Sequence, residues 1–249
     1  MKNQDLQSFF SSPAMQQTER LLWMWLTLSA DVSRLEELAK KEKTQSSFYR
    51  RQYVRAAAAL VEGFTSMMKQ SALLYPKAFL PEEVLLLREQ EPLLKDNGKV
   101  SVRGRFVATE TNIRFAFSAY AKAMQAAFTL DCSQSDWQDF KRLVAIRNRI
   151  THPKKLEELS IPDEELDSIQ LALDFVSKNY SAVHEAIQRE MWLRDGMPEP
   201  LFKKWMSWQK EACKAAHAGR LGKEWMSLRE RLEAELEDYL GHLKSNGKG

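Results

Sequence analysis

Apolar residues recur at steps of three and four along most of this chain. Leu21, Trp25, Leu28, Val32 and Leu35 form one such stripe and predict a helix over 18–43, with Thr18 as its cap. Trp23 falls off that stripe. The charged and polar stretch 40–47 reads as a loop. Tyr53, Ala57, Leu60, Phe64, Met67 and Ser71 line a second helix, 47–74. The alanine run 56–59 leaves its opposite side small as well, which gives neighbours room on two sides. Ile113, Phe117, Tyr120, Met124 and Phe128 predict a helix over 109–130. Leu166, Ile169, Leu173, Val176, Tyr180, Val183 and Ile187 then alternate steps of four and three without a break. Ser160-Ile-Pro-Asp opens that last helix, which should end near Arg194.

Between these helices, 75–105 is the least patterned region. Pro76, Pro81 and Pro92 interrupt it. The stretch 81–88 starts like a short helix, with proline at its first position and acids in its first turn. Asp96-Asn97-Gly98 is a turn signal. The stretch 100–107 carries Arg103 and Arg105 beside Gly104, and reads either as a loop near a nucleic-acid backbone or as a simple insertion. Residues 1–17 are polar with Phe9 and Phe10, and read as loosely ordered. Asp195-Gly-Met-Pro-Glu-Pro is a breaker and a plausible domain boundary. Leu201, Trp205, Trp208, Ala212 and Ala215 follow, then a helix over 223–243 with Trp225, Leu228, Leu232 and Leu236. Aromatics among lysines there read as core residues with a wet face, or as stacking surfaces for bases. The pattern gives an all-α protein: an antiparallel helical bundle over 46–194, an N-terminal helical extension over 1–45 and a basic helical extension over 200–244.

Composition narrows the class. The 249 residues suffice for one large helical domain or a domain with extensions. Hydrophobic residues make up 44% and charged residues 29%, and 9 Gly with 8 Pro argue against a turn-rich β architecture. The net charge of +3 and a pI near 8.7 are compatible with RNA without being diagnostic of it. Cys132 and Cys213 lie far apart without metal spacing, so a reducing cytoplasm is expected. The apolar run 21–30 is too short to span a bilayer and follows Glu19-Arg20 directly, so neither a secretion signal nor a membrane anchor is expected. His184, His217 and His242 have no acid or cysteine at metal spacing. No Gly-rich phosphate loop, no Gly-x-Ser-x-Gly and no paired-cysteine motif occurs. No metal or cofactor is expected, and a zinc enzyme, an NTPase or a serine hydrolase is disfavoured.

The chemistry gathers in 136–153: Asp-Trp-Gln-Asp-Phe-Lys-Arg-Leu-Val-Ala-Ile-Arg-Asn-Arg-Ile-Thr-His-Pro. Asp136 is a good N-cap type. Trp137, Phe140, Val144 and Thr151 share one side of the helix, and Leu143, Ile146 and Ile150 widen that arc. Pro153 pushes His152 out of helical geometry, so the helix should stop there. Arg147 lies inside the apolar arc. A buried guanidinium without a partner costs several kcal/mol, so Arg147 should be paired or should face a cleft. Asn148 follows at the edge of the arc, and His152 sits just past the helix end. Arg holds phosphate through parallel charge-assisted hydrogen bonds. His moves a proton near neutral pH. Such a set can cut RNA without a metal, with the neighbouring 2′-hydroxyl attacking phosphorus.

Arg147-Asn148-Arg149-Ile150-Thr151-His152 resembles the Arg-polar-x-x-x-His motif of the HEPN superfamily. The resemblance covers about residues 46–192. It implies an all-α bundle with the motif at the end of a late helix, Arg147 and His152 as catalytic residues, and Asn148 as their polar support. It further implies a metal-independent endoribonuclease in which two protomers, as a homodimer, bring their motifs into one composite site. Family habit places such proteins in toxin–antitoxin or antiphage defence systems, with an antitoxin or a defence-complex protein as partner. Some members bind RNA, nucleotides or proteins without cutting, and that non-catalytic module is the alternative. A third reading is a scaffold in which Arg147 is a core ion pair.

Other charges are placed around that motif. Lys141, Arg142, Arg147, Arg149, Lys154 and Lys155 make the segment basic, and Arg149, Lys154 and Lys155 are candidate RNA contacts. For Lys141 and Arg142 a plain exposed face has equal weight. Arg50 and Arg51 are either a solvated face or a support near RNA. Glu110 either complements the start of its own helix or pairs with Arg147. Glu62 is a second candidate partner, weakened because it projects opposite the main stripe of its helix.

Overall fold

A computed structural model of the chain describes residues 13–42 and 45–194, with eight single positions beyond them. The expectations for residues 1–12, for the helices after residue 200 and for Cys213, His217 and His242 lie outside the described residues, those single positions apart. The chain divides into two compact units, Asp31–Glu190 on the one hand and Met1–Ala30 with Met191–Gly249 on the other.

Helix α1 runs over Pro13–Lys41 and begins before Thr18, because proline is preorganised for a first helical position and Ala, Met and Gln follow it. Helix α2, Ser46–Ala72, is central to the larger unit. It packs against both α4 (Thr109–Ala123) and α5 (Ser135–Thr151). The last helix, α6 (Asp163–Arg194), completes the core. Its Phe175 meets Trp137 and Phe140 of α5, and its Tyr180 meets Phe64 of α2. Trp137 and Phe140 are fully buried and stack with ring centroids 4.9 Å apart. The Arg114 guanidinium lies 4.6 Å from the Trp137 ring centroid, so the indole is closed over by a cation. The mostly helical class is therefore what the periodicity implied. Among the described residues, no helix is long and apolar enough to cross a membrane.

The departure from an all-helical chain lies in the region broken by prolines. A short helix α3, Pro81–Leu87, leads into β1 (Gln90–Leu94), which pairs antiparallel with β2 (Val100–Gly104). Asp96-Asn97-Gly98 forms the turn: the Gly98 N–H donates to the Lys95 carbonyl at 2.9 Å, and Gly98 takes φ +74°, the left-handed position that ends a three-residue hairpin loop. Pro92 is tolerated because both strands of a two-stranded hairpin are edges.

Two helix ends also differ from the periodic reading. Helix α4 stops at Ala123 rather than near 130. Gln125 turns left-handed at φ +58°, its N–H donates to the Lys122 carbonyl, and the Ala126 N–H donates to the Ala121 carbonyl at 3.0 Å. That is a Schellman ending built on glutamine instead of glycine. Helix α5 starts from Gln134 rather than Asp136. The Asp131 carboxylate organises the approach by accepting from the Ser133 backbone and hydroxyl and from the Gln134 amide. Asp136 is instead an acid in the first turn.

Candidate functional site

Helix α5 ends where Pro153 requires. The His152 N–H donates to the Asn148 carbonyl at 3.0 Å, and His152 leaves helical geometry at φ −126°, ψ 55°. The chain beyond is held by Arg149. Its guanidinium donates to both Glu165 carboxylate oxygens at 2.6 Å and to the carbonyls of Glu158 and Ser160 at 3.0 and 2.9 Å. Glu165 keeps that guanidinium protonated even more firmly than usual. Arg50 does similar work at the start of α6, donating to the Ile161 carbonyl at 2.8 Å and pairing with Asp163 at 2.6 Å. Both arginines, singled out as RNA contacts, are therefore engaged within the chain. Lys154 and Lys155 are exposed, and Arg51 is half-buried. None of these three side chains has a partner among the described residues.

Arg147 is different. Its Nη2 donates to Glu62 Oε1 at 2.7 Å and its Nη1 to Asn148 Oδ1 at 3.0 Å. Its side chain keeps 35% of its exposure although it sits among buried Leu143, Ile146 and Ile150. The partner is Glu62, not Glu110, which stays in the first turn of α4. The reason is the small side of α2: Ala58, Val61 and Glu62 face Leu143, Val144 and Arg147 across a narrow gap, so α5 comes close enough for the two charges to meet. Its place opposite the main stripe of α2 is what aims Glu62 at α5.

Beside Arg147 opens a hollow of about 750 Å³, walled by α2, α4, the hairpin and the Arg105–Val107 segment. His152 is not among its lining residues; it stands exposed at the helix end, with no polar side-chain partner among the described residues. The lining also holds a group that the periodic reading does not single out. Lys69 is only 2% exposed, and its ammonium donates to Glu89 Oε1 at 2.7 Å and to Asn112 Oδ1 at 2.9 Å. The Asn112 amide donates to the same Glu89 oxygen at 3.0 Å. Lys69 first, and Asn112 with it, hold the Glu89 carboxyl below the usual carboxylate range. Glu89 has φ +53°, a left-handed backbone that costs a non-glycine residue roughly 1 kcal/mol or more. In that conformation its carbonyl accepts the Arg105 N–H at 2.7 Å, which fixes the segment carrying Arg105 and Phe106. One sequence signal did exist: Lys69 continues the buried row Ala57, Val61, Thr65 at steps of four, where a lysine is out of place.

Four cations line the hollow, Lys69, Arg88, Arg105 and Arg147, against two carboxylates, Glu62 and Glu89. Both carboxylates are paired. The side chains of Arg88 and Arg105 have no partner among the described residues, so the excess charge is positive and available. Of the other histidines, His184 is described: its Nδ1 is buried without a partner, and burial lowers its pKa to about 4. Compared with known families, curated proteins and solved structures, the chain matches no family model, no curated protein and no solved structure.

Proposed function

We propose that this chain is a metal-independent endoribonuclease of the HEPN type, acting as a homodimer with the 147–152 segments of two copies in one composite site. The observation that carries this reading is Arg147: a guanidinium on the apolar arc of its helix, oriented by Glu62 and Asn148, yet one-third exposed at the edge of a polar hollow. An arginine serving only the core would use its donors and be sealed off.

The chemistry follows from the two side chains. The His152 imidazole takes the proton of a ribose 2′-hydroxyl as that oxygen bonds to phosphorus, and the P–O5′ bond breaks. The leaving 5′-oxygen takes a proton from water, which leaves a 5′-hydroxyl and a 2′,3′-cyclic phosphate while His152 holds the 2′-hydroxyl proton. Arg147 donates to the non-bridging oxygens as charge gathers on them. Exposure at a helix end fixed by Arg149 leaves the His152 ring free to meet RNA or a second copy. A place in toxin–antitoxin or antiphage defence goes with this reading, as does an antitoxin-like partner. The test is cleavage of RNA in EDTA by the intact chain and by Arg147→Ala and His152→Ala variants with unchanged circular dichroism. Loss of cleavage in both supports the reading; cleavage retained in both discards it.

The second reading is a module that binds RNA, a nucleotide or a protein without cutting. It is favoured by one fact: His152 is absent from the walls of the hollow that Arg147 lines. Salt-sensitive RNA binding without cleavage would select it.

A further inference from the structure

Phe106 is 91% exposed, the most exposed large apolar side chain among those described, and it sits at the rim of the hollow between Arg105 and Val107. An exposed phenylalanine alone needs no explanation. Here it lines the same hollow as Arg147 and as two guanidiniums without partners among the described residues, Arg88 and Arg105. The segment is also held: the Arg105 N–H is tied to Glu89, and Glu89 is tied to Lys69 and Asn112.

Single-stranded nucleic acid needs these parts. Bases splayed from a strand stack on aromatic faces, and guanidiniums take the intervening phosphates. A base inside a duplex has no free face to offer. A hollow of about 750 Å³ falls in the size range of sites for small organic groups, roughly 300–1,000 Å³, the range to which a nucleotide site belongs. Lys69 contributes indirectly. Its ammonium neutralises Glu89, which would otherwise repel a phosphate, and Glu62 is neutralised by Arg147 in the same way.

We propose that this hollow is a subsite for an unpaired nucleotide next to the cut, with Phe106 stacking its base and Arg105 and Arg88 holding its phosphates. The proposal deepens the nuclease reading and rests on it for the position of the cut. Lys69 and Glu89 are positioning residues in this site, since they act through the 105–106 segment.

The experiment uses the full chain carrying His152→Ala, so that binding is read without cleavage. A fluorescein-labelled single-stranded RNA and the same sequence as a duplex are titrated and followed by anisotropy. The single strand is expected to bind at least tenfold more tightly than the duplex. Phe106→Ala should weaken it about tenfold, the size of one lost base stack. Phe106→Trp should restore it. Arg105→Gln should lower the slope of log affinity against log salt by about 0.7, the value for one phosphate contact on a single strand. Equal affinity for strand and duplex, or unchanged binding in Phe106→Ala, overturns the subsite. Cleavage by the chain with native His152, assayed in parallel, separates the two claims. Cleavage that ignores Phe106 and Arg105 removes the subsite and leaves the nuclease. The full binding pattern with no cleavage supports the subsite and removes the nuclease.

Discussion

Arg147 and Arg149 lie two residues apart on one helix and have opposite lives. Arg149 uses four of its five N–H donors: a fork on Glu165 and two carbonyls of the loop that follows. Arg147 uses two, on Glu62 and Asn148, and lines a hollow. The same side chain is a structural pin when its fork is filled and a candidate ligand for phosphate when it is not. Counting engaged donors separates the two roles where residue type and charge do not.

That contrast can be broken in several ways. The largest effect should come from Arg147→Ala, with cleavage reduced by about 10²–10³, as when one charge-stabilising donor is removed. Its thermal melt should move little, because an exposed pair contributes about 1 kcal/mol or less. Arg149→Ala should behave in the reverse sense. Chemical denaturation should show a stability loss of roughly 2 kcal/mol, since two loop carbonyls and a carboxylate fork lose their donor. Equal stability in the two variants would erase the distinction between the two arginines.

Smaller effects sharpen it. Glu62→Gln keeps the size but removes the charge that aims Arg147, and should lower cleavage about tenfold through misplacement. RNA binding by the hollow should persist in that variant. The smallest effect is in pH. The folded pKa of Glu89 lies below the ordinary 4.5, so its carboxylate stabilises the fold fully above that value. The contribution is lost as pH falls through the folded pKa. Melting temperature should therefore decline more steeply below about pH 4.5 in the parent chain than in Glu89→Gln, which lacks the titration.

Most helices were legible because their burial is one-sided. The stripe of α2 and the run from Leu166 to Ile187 in α6 follow directly from spacing, and Pro153 marks the end of α5 within a residue. The hairpin was hidden because Pro92 breaks its strand pattern, and because a two-stranded ribbon needs no apolar alternation. The end of α4 was hidden because Gln125 takes a left-handed turn that usually announces itself as glycine. The candidate site divides in the same way. Arg147 drew attention as a charge on an apolar arc. Lys69 finds Glu89 and Asn112 at separations of 20 and 43 residues, and Arg149 finds Glu165 at 16. Those pairings depend on how helices and loops come together, which no local spacing encodes.

The reading of Arg147 and His152 as a metal-free pair that uses the ribose hydroxyl is tested most directly by the products. In EDTA, the intact chain is incubated with a labelled single-stranded RNA and with its 2′-deoxy counterpart, and the new ends are identified. The account predicts that RNA is cut to 2′,3′-cyclic phosphate and 5′-hydroxyl ends while the deoxy strand stays whole. Cleavage of both strands, or RNA products carrying 5′-phosphates, would contradict it.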